Sequence, residues 1–171
     1  MKFYWRITKY DPQYRNQEGV FLKNEWTSYS DIGYAFDNIQ LTYKIYEKIE
    51  YLYIEAIKSM MKCHPIKCLQ VKSLEKSGSI QKDVHNTAMM ITLFNAIKEN
   101  AWVEEEYIED FCKLILRDKL WCKLTYTKKI FIHFGWDFYM YIGSSSACTQ
   151  TVEEIQNSGL FVEIFKSPYQ K

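Results

Sequence analysis

Arginine is nearly missing from this chain. Arg6, Arg15 and Arg117 are the only ones in a basic complement of 22 residues. Lysine, which supplies the rest, offers a point charge where bidentate recognition of phosphate or guanine uses a planar fork. An excess of charge is also lacking: the net value is +1, so no overall field gathers nucleic acid or an anionic surface. No stretch approaches the roughly 20 apolar residues that span a bilayer. The opening MKFYWRITKYDP has no signal-like apolar run. These absences exclude strong nucleic-acid and membrane classes and lead us to expect a cytoplasmic protein.

Catalytic and metal signatures are absent as well. Five cysteines, at 63, 68, 112, 122 and 148, are an odd number in a chain long enough for a real core, which suits free thiols in a reducing compartment better than a disulfide framework. Cys63-His64 with Cys68 is the nearest approach to a metal motif, but a closed zinc site takes four ligands, usually in two close pairs, and the second pair is missing. Gly143-Ser144-Ser145-Ser146 lacks the lysine and glycine spacing of a phosphate loop. No carboxylate pair falls in an apolar context that would raise a pKa for acid–base work. We therefore expect no catalytic residue, no metal and no cofactor.

What the chain does have is a strong strand pattern. Leu120, Cys122, Leu124 and Tyr126, then Ile130, Ile132 and Phe134, then Phe138, Met140 and Ile142 alternate at period two, predicting a three-stranded antiparallel meander with turns at Thr127–Lys129 and Gly135-Trp136-Asp137. Its other face would carry Trp121, Lys123, Phe131, His133, Tyr139 and Tyr141, too aromatic to stand open to water, so the chain's own helices or a partner must cover it. Phe3–Lys9 reads as an opening strand ended by Pro12, 13–38 as a long ordered loop, Ile66–Leu74 as a strand leading to a Ser77-Gly78-Ser79 turn, and Leu160–Phe165 as a closing strand.

Helices are predicted from Thr42 to Met61, with Ile45, Ile49, Leu52, Ala56 and Met60 inward, Tyr43, Tyr46 and Tyr53 widening the apolar side and Glu47 and Glu50 on the polar side, and over Ile80–Lys98, Trp102–Arg117 and a short span through Gln156. In the third of these, Lys113 and Arg117 complement the helix dipole at its C-terminal end. The fold class is α+β: one domain over 1–171, an antiparallel sheet centred on the meander, and three to four helices packed against it.

Two features point outward. Glu104, Glu105, Glu106, Glu109 and Asp110 crowd one helix start, where the dipole favours them, and where they would also present a basic protein with the charge of a nucleic-acid backbone. Aromatics make up 17% of the chain, with 14 Tyr, 10 Phe and 5 Trp. Trp136 and Asp137 at a hairpin tip, followed by Tyr139 and Tyr141, are the hardest to assign to a core, and Tyr and Trp are enriched at interface hot spots. These nine residues form the expected partner-binding set. Two readings stand beside it: a small hydrolase or transferase using His133 with Asp137 or a cysteine, and a homodimer joined through the aromatic face.

The pieces Glu25-Trp26-Thr27-Ser28, Ser30-Asp31-Ile32-Gly33 and His133-Phe134-Gly135-Trp136-Asp137-Phe138-Tyr139-Met140-Tyr141-Ile142 resemble signatures in small proteins of low-GC bacteria, a group associated with immunity proteins of polymorphic or contact-dependent toxin systems. The resemblance fixes no functional residue. It implies a single-domain cytoplasmic inhibitor that blocks the active site of a cognate toxin domain, a nuclease being one such target.

Overall fold

Thr42 opens the longest helix because its hydroxyl accepts the Ile45 amide at 3.3 Å, giving a partner to one of the donors that a helix start leaves unpaired. In the computed structural model, which describes residues 1–77, 80 and 83–170, this helix is α1 (Tyr43–Cys63). Around it the chain runs β1 (Phe3–Thr8), β2 (Ala35–Phe36), β3 (Ile39–Gln40), α1, β4 (Cys68–Lys76), α2 (Ala88–Ala96), β5 (Trp102–Glu104), α3 (Ile108–Leu116), β6 (Leu120–Tyr126), β7 (Ile130–Phe134), β8 (Tyr139–Ser144), α4 (Thr149–Asn157) and β9 (Phe161–Ile164). The fold is α+β. No described helix is long and apolar enough to cross a membrane.

Among the described residues the main sheet has seven strands in the order β5-β4-β6-β7-β8-β1-β9, and every named pairing is antiparallel. β6, β7 and β8 pair in succession at its middle, with Leu124 opposite Ile132 and Ile132 opposite Ile142. The same register puts Ile7, Met140, Phe134, Val71, Leu69 and Val103 on that face, because partners across a ladder share a side. This face shares one continuous core with Tyr53 and Ile57 of α1, Met90 of α2, Phe111 of α3 and Ile155 of α4.

Three expectations are corrected here. The third helix begins six residues later than predicted, at Ile108; Trp102–Glu104 pairs instead with Cys68–Gln70 at the sheet edge. Val103 alone of the three is buried, a period-two pattern too short to be seen beside the acidic run. The second helix covers only Ala88–Ala96, capped by the Thr87 hydroxyl on the Met90 amide; part of the predicted Ser77-Gly78-Ser79 turn and the start of the predicted Ile80–Lys98 helix lie outside the described residues.

The third correction concerns two positions on α1, Ile45, expected inside, and Glu50, expected on the polar side. Ile45 is 40% exposed while Tyr46, Glu50, Tyr53 and Ile57 are buried. Polar atoms on this inward face all find partners: the Tyr46 hydroxyl donates to the Leu116 carbonyl at 2.7 Å, and Glu50 takes Arg117 in two hydrogen bonds of 2.6 and 2.7 Å. Burial is thus compatible with polarity wherever the hydrogen bonds are complete.

Gly143 shows how tightly the sheet is built. It stands opposite Phe131 in the β7–β8 ladder, and a Cβ placed on it would overlap the Phe131 ring. Gly143→Ala is expected to cost about 1 to 3 kcal/mol through overpacking, read as a lower urea midpoint with unchanged slope. Phe131→Leu in the same chain should recover part of the loss.

Candidate functional site

The turn between β7 and β8 is held in an unusual backbone conformation. Asp137 and Phe138 both have φ near +60°, a region that costs L-residues roughly 1–2 kcal/mol each. For Phe138 the cost is offset by a socket. Its ring packs edge-on against Trp26, Tyr46 and Tyr53, with centroids 4.9, 5.6 and 5.4 Å away. Its carbonyl accepts the Tyr53 hydroxyl at 2.6 Å, which in turn accepts the Lys9 amide at 2.8 Å. Burying a phenyl ring contributes about 2–3 kcal/mol, enough to hold the turn. Pinned from below, the tip presents Trp136 to solvent at 74% exposure.

Beside this tip lies a cavity of about 480 Å³. Its walls come from the Thr27–Ser30 loop, the end of β4 (Glu75, Lys76, Ser77), the α3–β6 turn at Asp118, Trp121 of β6, and the hairpin from Phe134 to Tyr139. Asp118, like Asp137, sits at positive φ, +58°. Its turn is tied to β4 by Ser77, whose amide and hydroxyl both donate to the Lys119 carbonyl, at 3.0 and 2.9 Å. The Ser28 amide donates to the Asp31 carboxylate at 3.0 Å and fixes the loop opposite. Strained, well-braced backbone around a concavity is the arrangement from which a functional site is inferred, in that direction.

The electrostatics of the cavity are acidic. Glu75, Asp118 and Asp137 line it, and none has an ion-pair partner among the described residues. Surrounding protein raises the Asp118 carboxyl above its ordinary range by desolvation; Lys119 opposes the rise and Asp31 adds to it. The one lysine among the described lining residues, Lys76, is directed away and donates to the Phe94 carbonyl at 2.5 Å. Unpaired carboxylates beside Trp121, Trp136 and Tyr139 suit a cation with an apolar stem, such as a lysine or arginine side chain. No histidine or cysteine is among the described residues that line this cavity.

The predicted acidic cluster has a different character. Glu105 pairs with Lys67 at 2.5 Å, Glu109 with both Lys58 and Lys113 at 3.0 and 2.8 Å, and Asp110 accepts the Thr87 hydroxyl at 2.9 Å. The two lysines hold the Glu109 carboxyl down at about 2, Lys113 foremost. Glu104, Glu106 and Asp110 are left without an ion pair among the described residues. Register also separates them from Trp136: Glu104 stands opposite Cys68, whereas the cavity begins near Glu75 at the far end of β4, beyond a bulge after Lys72, roughly 20 Å along the strand at about 3.3 Å per ladder step. The nine expected partner-binding residues therefore do not share one surface.

Tyr139 and Tyr141 belong to the sheet's other face, and the chain itself covers that face. Its C-terminal tail crosses it: the Ser167 hydroxyl meets His133 Nδ1 at 2.8 Å, Lys123 donates to the Tyr169 carbonyl at 2.9 Å, and the Tyr169 ring packs on Trp121, His133 and Tyr141. Tyr141 is buried to 7% exposure, and Tyr139 lies beneath the Arg6 and Arg15 guanidinium groups that converge on Glu163. His133 sits under the tail and outside the cavity. All three arginines are engaged inside the fold, the third being Arg117 on Glu50.

Burial, with help from Lys123, holds the His133 pKa down to about 4. The unfolded chain binds a proton there near pH 6.5, the folded chain only near 4, so this group's contribution is complete above pH 6.5 and is lost as pH falls towards 4. A pKa gap of this size corresponds to a loss on the order of 3 kcal/mol. His133→Gln should flatten the stability profile between those limits in denaturant titrations. The loss of stability below about pH 4.5, where the unfolded chain protonates Glu109 and the folded chain does so only near 2, should remain.

Asp118 and Glu75 were not among the expected site residues; the only hint was a polar Arg-Asp-Lys step directly after an apolar helix. Comparison of the chain with protein-family profiles, curated proteins and solved structures found no match.

Proposed function

We propose that this protein is a non-enzymatic binding module that blocks a partner protein, in the manner of an immunity protein that neutralises a toxin domain in the cytoplasm. The observation that carries the reading is the braced hairpin tip with exposed Trp136 beside a cavity lined by three carboxylates that have no ion-pair partner among the described residues. A basic side chain of the partner would enter the cavity while Trp136 packs against the surrounding apolar surface, an anchor-in-pocket arrangement typical of binding hot spots. A toxin that cleaves nucleic acid carries such basic side chains at its active site, so occupying them would inhibit it. The His133 enzyme reading loses support because that residue lies beneath the tail and away from the cavity.

The test is affinity capture from a lysate of the source organism with two baits, the wild type and a Trp136→Ala, Asp118→Asn double variant. A basic protein retained by the first, released by salt and lost from the second is expected. A partner retained equally by both would overturn the proposed interface.

A further inference from the structure

Cys63, at the last turn of α1, and Cys148, directly before α4, are joined in a disulfide across 85 residues of sequence. This corrects the expectation of five free thiols; Cys68, Cys112 and Cys122 remain free. The pair is not alone. His64 is buried, and its Nε2 lies 3.8 Å from Cys148 Sγ and 2.8 Å from the Ser144 hydroxyl. The two sulfur atoms and the imidazole nitrogen all lie within 4.8 Å of one another. The ligand that Cys63-His64 lacks in the sequence is thus supplied by Cys148, while Cys68 takes no part.

We propose that, once reduced, Cys63, His64 and Cys148 form a binding site for a soft divalent cation, zinc above all, and that formation of the disulfide expels the ion. The His64 Nε2–H donates to the Ser144 hydroxyl in the disulfide form; with the proton on Nδ1 instead, the Nε2 lone pair completes a Cys₂His donor set with the two neighbouring sulfurs. Zinc holds sulfur at about 2.3 Å and nitrogen at about 2.0 Å. Tetrahedral ligands at those lengths stand about 3.6 Å apart for nitrogen and sulfur and about 3.8 Å for the two sulfurs. The nitrogen-to-sulfur edge is already close, at 3.8 Å, and a Cα–Cα separation of 6.0 Å lets the sulfurs part by side-chain rotation alone. Half-buried Cys63 gives the ion a way in. Ser144 is occupied by its own loop, donating to the Ser146 carbonyl at 2.5 Å and accepting the Ser146 amide at 3.0 Å, so water is left to fill the fourth position.

The oxidative step balances with a low-molecular-weight disulfide such as oxidised glutathione. The Cys63 thiolate attacks one of its sulfurs and releases one glutathione thiolate. The Cys148 thiolate then attacks Cys63 Sγ in the mixed disulfide, forms the intramolecular bond and releases the second thiolate. The two electrons pass to glutathione, and the ion loses both sulfur ligands. In a reducing compartment the dithiol is the expected form, so the metal would clip α1 to α4 there as the disulfide does in its absence.

The experiment reduces the full-length protein with a phosphine, removes the reductant under argon and titrates zinc against a chromophoric chelator, with cobalt as a spectroscopic stand-in. The reduced wild type should take up one equivalent and show the visible bands of tetrahedral, thiolate-bound cobalt. Cys148→Ser and His64→Gln should each weaken binding at least 100-fold, circular dichroism showing that each remains folded. Oxidised glutathione should release the ion in step with disulfide formation. No uptake by the folded, reduced wild type would overturn the proposal, and so would uptake that survives either substitution. Because wild-type protein serves as the main reference, the result does not depend on any variant folding.

Discussion

Arg117→Ala is expected to destabilise the protein by about 3 to 5 kcal/mol, the range for breaking a buried ion pair from one side. Arg117 and Glu50 are each about 1% exposed in their side chains. The guanidinium also donates to the His85 carbonyl at 2.8 Å and to the Tyr43 hydroxyl at 3.1 Å. It therefore ties the end of α3 to α1 and to the segment before α2. Without it, Glu50 is left charged in an apolar setting that already pushes its carboxyl up. An unpaired buried carboxyl keeps its proton to higher pH in the folded state than in the unfolded one. Its penalty is therefore absent below the unfolded pKa of about 4.3 and grows as pH rises. The gap between variant and wild type in urea should accordingly narrow at pH 4 and widen at pH 7. Glu50→Leu with Arg117→Met should recover most of the loss, because an apolar pair of similar volume fills the same space without desolvating charge. A single Arg117→Ala that costs under 1 kcal/mol would show that the pair is not held as described.

The second large effect concerns binding. Trp136→Ala should reduce partner affinity by at least about 2 kcal/mol, near 30-fold, the scale of an aromatic hot spot. Its effect on folding stability should stay within about 0.5 kcal/mol, since the side chain is largely in water. Asp118→Asn keeps the shape of the cavity and removes one charge. It should weaken binding less and reduce the dependence of affinity on salt, because fewer charges then meet across the interface. Phe138→Ala should act differently from both, loosening the turn, so that stability and affinity fall together.

Much of the architecture was legible because it obeys simple periods. Strict alternation over Leu120–Ile142 located the middle of the sheet, and Thr42 located the start of α1. On α1 the apolar stripe and its tyrosines were legible, but Glu50 was misplaced for a physical reason: a charged side chain at a core position is satisfied only by a group distant in sequence, here Arg117. β5 was hidden because its strand character comes from pairing with β4 and not from its own three residues. The open face of the sheet was recognised as needing a cover, but helices or a partner were expected where Tyr169 and its neighbours lie. At the site, Trp136 and Asp137 were visible as a polar, aromatic hairpin tip. Asp118 was not, because only the fold brings the α3–β6 turn beside that hairpin. The acidic run drew attention through charge density alone; of the lysines that pair with it, Lys113 lies on α3 itself, and Lys58 and Lys67 lie outside it.

The measurement that bears most directly on the central claim is a calorimetric comparison of the captured partner binding to wild type, to Trp136→Ala, and to Glu104→Gln with Glu106→Gln. Binding through the hairpin and cavity predicts that the tryptophan variant loses at least about 30-fold in affinity while the glutamate variant stays within about threefold, as exposed rim charges do. Intact affinity in the tryptophan variant, with a large loss in the glutamate variant, would contradict the account and move the interface to the other end of the sheet.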